Sequence, residues 1–94
     1  NDIPAIMVRR ASADEFADMI VAQFDEMLEQ ATRQPLVMGL ALHAYIVGQP
    51  FRLRSLKRAL RHITAHRERV WMTTAGGVAR HFAQAVPPPA VNAP

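Results

Sequence analysis

The feature that most constrains the fold is a continuous apolar run, Leu36–Leu42, between two amphipathic segments. The run is too short for a helix of its own. Pro35 precedes it and ends the preceding helix, because the residue before a proline is pushed out of the α region. Apolar runs of this length are typical of strands covered on both faces, as in a parallel sheet. We therefore predict a buried strand over Leu36–Leu42.

A strong helix signal precedes the strand. Ser12-Ala13-Asp14-Glu15 is a capping box, in which the serine hydroxyl accepts from the Glu15 amide while the carboxylate reaches back. Apolar residues then recur at helical spacing from Phe16 to Ala31. The pattern predicts a helix over about 13–31.

Three further elements follow the strand. A basic helix with a leucine stripe is predicted over about 52–66, and Val70–Met72 is predicted as a second short strand. A third helix is predicted over about 75–85, capped by Thr73 or Thr74, with Val78 and Phe82 facing inward. His43 to Pro50 is predicted as a loop.

The order helix-strand-helix-strand-helix contains a βαβ unit and predicts an α/β fold. Two parallel strands do not make a self-sufficient sheet, so either more strands lie upstream or several copies associate. The sequence favours the first, with residues 1–86 as the end of a larger domain. The Pro- and Ala-rich residues 87–94 are predicted to be disordered.

Composition excludes several classes of protein. The 94 residues contain no cysteine, which rules out disulfides, cysteine-ligated zinc and a thiol nucleophile. No run approaches the roughly 18 apolar residues of a membrane span, so no membrane partner is expected. The chain starts without Met or a signal-like segment. We expect a cytoplasmic location and a true N-terminus that lies upstream.

Charge is unevenly placed along the chain. Residues 1–31 hold seven acids and two arginines, whereas residues 52–69 hold seven basic residues and one acid. The two blocks could face one another within one fold, or the basic block could meet an outside anion. Nucleic-acid binders usually show a wider basic field or a docking motif. We therefore expect a solvated helix face and no nucleic-acid partner.

Three histidines are candidates for chemistry. His43 follows the predicted strand, at the edge where ligands gather in parallel α/β folds, and can act as a general acid or base. The competing interpretation is a structural hydrogen bond to a neighbouring loop. His62 and His66 have the i, i+4 spacing of two metal ligands. They also suit the negative end of a helix dipole, which is the simpler interpretation, and we predict no metal site.

Several stretches, taken together, resemble a known family. They are Asn1-Asp2-Ile3-Pro4, Gln23-Phe24-Asp25, Ala41-Leu42-His43, Ile46 to Arg52, and Val70 to Thr74. In this order they resemble the C-terminal third of the polysaccharide deacetylases (NodB homology), in particular the allantoinase-like and peptidoglycan-deacetylase-like branch. Gly48-Gln49-Pro50-Phe51-Arg52 after the histidine is the most specific part.

The resemblance implies a fold and an activity. It implies the C-terminal segment of an irregular (β/α) barrel, in an enzyme of carbohydrate metabolism that hydrolyses non-peptide C–N bonds. His43 would protonate the departing amine or assist the base. Asn1, Asp2 and Gln49 would lie near the substrate. Ala44 departs from the proline that many relatives carry after this histidine.

The resemblance also implies that the machinery is incomplete. In the family, the metal ligands, an Asp and two His, and the catalytic Asp belong to motifs that precede this segment. We therefore expect no cofactor in this chain, although full-length relatives can hold a divalent metal such as zinc. We expect no activity from the chain alone, and saccharide or small-molecule binding only with the missing part.

One further expectation concerns partners, and two alternative functions stay open. The exposed edges of an incomplete barrel predict a homo-oligomer or association with a partner chain. The alternatives to a hydrolase fragment are a non-catalytic helical interaction module and an anion-binding helix pair.

Overall fold

A computed structural model describes residues 1–86 of the chain. Over that range the chain forms four α-helices and two short helical turns, without any β-strand. The helices are α1 (Ala13–Gln30), α2 (Ala44–Val47), α3 (Pro50–Thr64) and α4 (Ala75–Ala85). A π-helical turn, Ile3–Val8, precedes α1, and a 3₁₀ turn, Arg67–Arg69, follows α3. None of the helices that the structure describes is long and apolar enough to cross a membrane.

Helix α1 confirms the prediction made from its capping box. The Glu15 amide donates to Ser12 Oγ at 3.1 Å, and the Ser12 amide donates to Glu15 Oε1 at 2.9 Å. Phe16, Ile20 and Phe24 recur every fourth residue and are buried on one face. This face supplies the largest side chains of the core.

Helix α3 packs against α1, and the two helices run in the same direction. Near their N-terminal ends Ser55 Oγ donates to Asp14 Oδ1 at 2.7 Å, and toward their C-terminal ends His62 Nε2 lies 2.6 Å from Asp25 Oδ1. The core between them contains Leu56, Ala59 and Ile63 of α3, together with Ala5 and Ile6 from the π-helical turn and Ile46 and Val47 from α2.

Helix α4 is where predicted but is not buried as predicted. Thr74 caps it, since its hydroxyl accepts from the Gly77 amide at 3.0 Å. Val78 is half-buried, but the Phe82 side chain is 62% exposed, so the prediction that both face inward was wrong for Phe82. A phenylalanine at helical spacing indicates an apolar face, but it does not indicate whether anything packs on that face.

The predicted α/β fold, a segment of a (β/α) barrel, was wrong, because the described part of the chain is helical. Leu36–Leu42 is non-helical but pairs with no strand. Met38 and Leu40 pack against the core while Val37 is 68% exposed, so the run is covered on one face instead of two. Val70–Met72 is likewise unpaired, with Trp71 60% exposed. A strand needs a neighbour for its main-chain groups, and residues 1–86 supply none.

Two other predictions need comment. The stretch from His43 to Pro50 is not simply a loop, because it contains the short helix α2 with Gly48 at its C-cap. The prediction that 87–94 form a disordered tail falls outside the described residues.

Candidate functional site

His43 lies where the non-helical segment meets α2. It is the N-cap residue of α2, with an extended backbone (φ −118°, ψ 125°), and its carbonyl accepts from the amides of Ile46 and Val47. This cap holds the backbone of His43 in place. Its side chain is 46% exposed.

Asp2 is brought to His43 by the start of the chain. The Asp2 amide donates to the Ala41 carbonyl at 3.2 Å, and the Ala41 amide donates to Asn1 Oδ1 at 3.1 Å. Asn1 and Asp2 therefore lie along the last residues of the non-helical segment. Asn1 thus stabilises the position of Ala41 by accepting a hydrogen bond from its main-chain amide.

The Asp2 carboxylate binds His43 twice. Asp2 Oδ1 lies 2.9 Å from His43 Nδ1, and Asp2 Oδ2 accepts a short hydrogen bond from the His43 main-chain amide. Asp2 is 1% exposed, so the carboxylate is buried beneath a histidine ring that is open to solvent on its other side. His43 Nε2 has no hydrogen-bond partner among residues 1–86.

Burial and hydrogen bonding act in opposite directions on Asp2. Burial raises the pKa of the Asp2 carboxyl. The hydrogen bonds from the His43 ring and the His43 amide, the His43 charge and the Ile3 amide lower it, and together they hold the pKa below its ordinary 3.8. Asp2 is therefore a carboxylate at neutral pH.

A carboxylate at Nδ1 fixes the state of the histidine ring. Because an ionised carboxylate only accepts hydrogen bonds, Nδ1 carries the proton that joins the pair. Nε2 is left facing solvent, where it can accept or donate a proton. This arrangement of carboxylate, oriented imidazole and free nitrogen is suited to general acid–base chemistry.

A second Asp–His pair in the chain is arranged differently. Asp25 Oδ1 engages His62 at Nε2, and both side chains are partly exposed. His66 Nδ1 donates to the His62 carbonyl at 2.9 Å, and both imidazoles pack near the Phe24 ring. This pair joins α1 to α3 through His62 Nε2. In the Asp2–His43 pair, by contrast, Nε2 is the nitrogen that stays free.

Among the described residues, His62 and His66 are not part of a group of side chains that could bind a metal ion. Over residues 1–86, no three His, Asp or Glu side chains are grouped so that they could hold a metal ion. Residues 1–86 thus offer no complete ligand set for the zinc expected of full-length relatives.

The acidic and basic blocks meet in part across α1 and α3. Arg58 Nη2 lies 2.8 Å from Asp18 Oδ1 and donates to the Asp14 carbonyl at 3.2 Å. Three other basic side chains of α3, Arg54, Lys57 and Arg61, are exposed to solvent. The first of the two interpretations of the charge pattern thus holds for Arg58.

Gln49 is not part of the pair. It is exposed at the N-cap position of α3, where Nε2 donates to the Tyr45 carbonyl at 3.4 Å. The partner that sequence reasoning missed is Asp2 as the carboxylate of His43. The two residues are 41 positions apart, and the only sequence signal was the resemblance at Asn1–Pro4.

Comparison with known proteins gives one informative similarity. The chain is 31% identical over 70 residues to a Schizosaccharomyces pombe protein named "Putative polysaccharide deacetylase". The match covers 73% of this chain and 22% of that protein, so the chain spans about a fifth of the length of the curated relative. No family model matches, and no solved structure matches. The similarity supports the polysaccharide deacetylase family and no particular branch of it.

Proposed function

We propose that this chain is the C-terminal part of a hydrolase of non-peptide C–N bonds, in which His43 is the general acid and Asp2 orients it. The observation that carries the proposal is the geometry of the pair, a buried carboxylate at Nδ1 and a free Nε2 in solvent. The similarity to a protein named as a polysaccharide deacetylase supports the reaction class.

The proposed step is the departure of the amine. When the C–N bond breaks, the nitrogen needs a proton, and a doubly protonated His43 ring supplies it from Nε2. Nδ1 keeps its proton and donates it in a hydrogen bond to the Asp2 carboxylate, which balances the positive charge of the ring before the transfer. General acid catalysis of this kind contributes about 10²–10⁴-fold to rate. The attacking water and its base lie outside the residues described above.

Within the family we assign the chain to the allantoinase-like and peptidoglycan-deacetylase-like branch. The support for this finer assignment is the sequence Gly48-Gln49-Pro50-Phe51-Arg52 after His43. Either a saccharide N-acetyl group or a cyclic amide would meet the same proton donor.

A chimera tests the role of His43. The matching segment of the S. pombe relative is replaced by this chain, and hydrolysis is measured by acetate release from acetylated chitooligosaccharides. We expect His43→Gln to lower kcat by about 10²–10⁴-fold relative to the parent chimera, since the proton donor is lost. We expect Asp2→Asn to lower kcat less, because the donor is then present but poorly oriented.

The chain provides a matched control for this experiment. His62 also pairs with an aspartate, but through Nε2. His62→Gln should leave kcat within a few-fold of the parent chimera. A His43→Gln chimera that is as active as the His62→Gln chimera would rule out the proposed role.

A further inference from the structure

The His43 ring has a second neighbour besides Asp2. The ring of Tyr45 lies against it in a T-shaped arrangement, with 5.8 Å between the ring centroids and 68° between the ring planes. In such a pair the positive edge of one ring meets the negative face of the other, which is a favourable geometry for aromatic side chains. Tyr45 therefore contacts the proposed proton donor without taking part in its hydrogen bonds.

Helix α2 fixes the position of Tyr45. The two residues that follow it, Ile46 and Val47, are buried in the core. The Tyr45 carbonyl also accepts from Gln49 Nε2 at 3.4 Å. The ring of Tyr45 is thus carried on a backbone that is anchored in the core, and it lies beside His43 at the surface.

Gly48 closes α2 directly after these residues. Its amide donates to the Ala44 carbonyl at 2.9 Å. A Cβ at this position would collide with the same carbonyl oxygen, so the close approach requires a glycine. This compact turn further fixes the backbone that carries Tyr45.

A single side-chain hydrogen bond leaves the His43 ring free to turn. The torsion between Cβ and the ring is broad and roughly two-fold in histidines. Rotation by half a turn exchanges Nδ1 for a ring carbon and breaks the hydrogen bond to Asp2 Oδ1. The His43 side chain is 46% exposed, so the core does little to prevent this rotation. A contact on the ring itself is needed to restrict it.

We propose that Tyr45 is a positioning residue, which holds the His43 ring in the orientation that keeps Nδ1 on Asp2 and leaves Nε2 for the substrate. Its catalytic consequence rests on the proposed function, whereas the ring contact is a property of the chain alone. Tyr45 acts through His43 and makes no bond to the reacting atoms. Gln49, which the resemblance implies near the substrate, contributes indirectly by donating to the Tyr45 carbonyl.

Solvent exchange of the His43 Nδ1 proton tests the contact in the 94-residue chain. This proton is released to water only when the ring leaves Asp2, so its exchange rate, followed by NMR, reports how often the ring turns. We expect Tyr45→Leu to raise the rate about two- to tenfold, which is the factor that an aromatic pair contributes. Tyr45→Phe keeps the ring and should stay within about twofold of the wild type.

Two controls separate this effect from a loosening of the fold. Phe51→Leu removes an equally exposed aromatic side chain whose ring contacts a neighbouring arginine instead of His43, and it should leave the Nδ1 exchange rate unchanged. In Tyr45→Leu, the amides of Ile46 and Val47 should exchange as in the wild type, because they report whether α2 is formed. The proposal is overturned if Tyr45→Leu leaves the Nδ1 rate unchanged, or if it accelerates those two amides by the same factor.

Kinetics of the chimera test the consequence for catalysis. Because a positioning residue acts on the donor and not on the substrate, Tyr45→Leu should lower kcat about two- to tenfold with KM unchanged, and Tyr45→Phe should restore it. In a His43→Gln background, Tyr45→Leu should cause no further loss. A raised KM, or an equal loss in both backgrounds, would mean that Tyr45 contacts the substrate itself and would overturn the positioning role.

The two experiments also distinguish failure of this inference from failure of the proposed function. If His43→Gln leaves kcat unchanged, the proposed function is wrong, and the exchange rate of the Nδ1 proton still decides whether Tyr45 holds the ring. If His43→Gln lowers kcat but Tyr45→Leu leaves the exchange rate unchanged, the proposed function stands and the positioning role is wrong.

Discussion

At the scale of single residues, two Asp–His pairs with the same composition are suited to different tasks. Asp2 is buried and binds His43 at Nδ1, which leaves Nε2 in solvent. Asp25 is partly exposed and binds His62 at Nε2. The sequence singled out His43 by its position, but it could not predict the geometry of either pair, because that geometry lies in which ring nitrogen meets the carboxylate and in how deeply the carboxylate is buried.

Acid titration should reveal the contribution of Asp2 to stability. Its pKa in the folded chain is below the ordinary 3.8, so its contribution is present above pH 3.8 and is lost as the pH falls through the folded value. We therefore expect Asp2→Asn to destabilise the chain at pH 7 and to differ less from the wild type at pH 3. Urea unfolding at the two pH values measures this. An equal difference at both would contradict the lowered pKa.

At the scale of elements, the local signals in the sequence were sufficient to predict α1, α3 and α4 but not the short helix α2. The capping box set the start of α1, and the Thr74 hydroxyl set the start of α4. Helix α3 begins at Pro50, two residues before the predicted start, because proline fits the first turn of a helix. These signals act within one or two turns, which is why they can be interpreted without the fold.

The capping box of α1 can be tested by a single substitution. Ser12→Ala removes the hydroxyl that accepts from the Glu15 amide and should lower the free energy of unfolding by about 1 kcal/mol. Ser12→Thr keeps a hydroxyl and should cost less. Both are measured by urea unfolding at pH 7. A Ser12→Ala variant as stable as the wild type would show that the α1–α3 contact alone holds the first turn.

At the scale of the whole molecule, the described chain has a core between α1 and α3 and several uncovered apolar side chains. Val37, Trp71 and Met72 are more than half exposed and line one groove, and Phe82 on α4 is exposed as well. The chain also lacks, within residues 1–86, any group of side chains for a metal ion, and it spans about a fifth of its relative.

The isolated chain should therefore show no hydrolytic turnover. A positioned acid supplies only part of the rate enhancement, and no activated nucleophile accompanies His43 in the described residues. Acetate release from acetylated chitooligosaccharides by the purified chain should not exceed the rate without protein. Robust turnover that disappears in His43→Ala would mean that the chain is a complete catalyst.

The sequence by itself determined the helices α1, α3 and α4, through caps, proline positions and apolar spacing, and it singled out His43. Only the tertiary structure decided that Leu36–Leu42 is an unpaired segment covered on one face, and that Asp2 is the carboxylate of His43. The physical reason is range. A helix satisfies its main-chain groups within a few residues, whereas a strand needs a partner from elsewhere, and the Asp2–His43 hydrogen bond joins residues 41 positions apart that no local pattern connects.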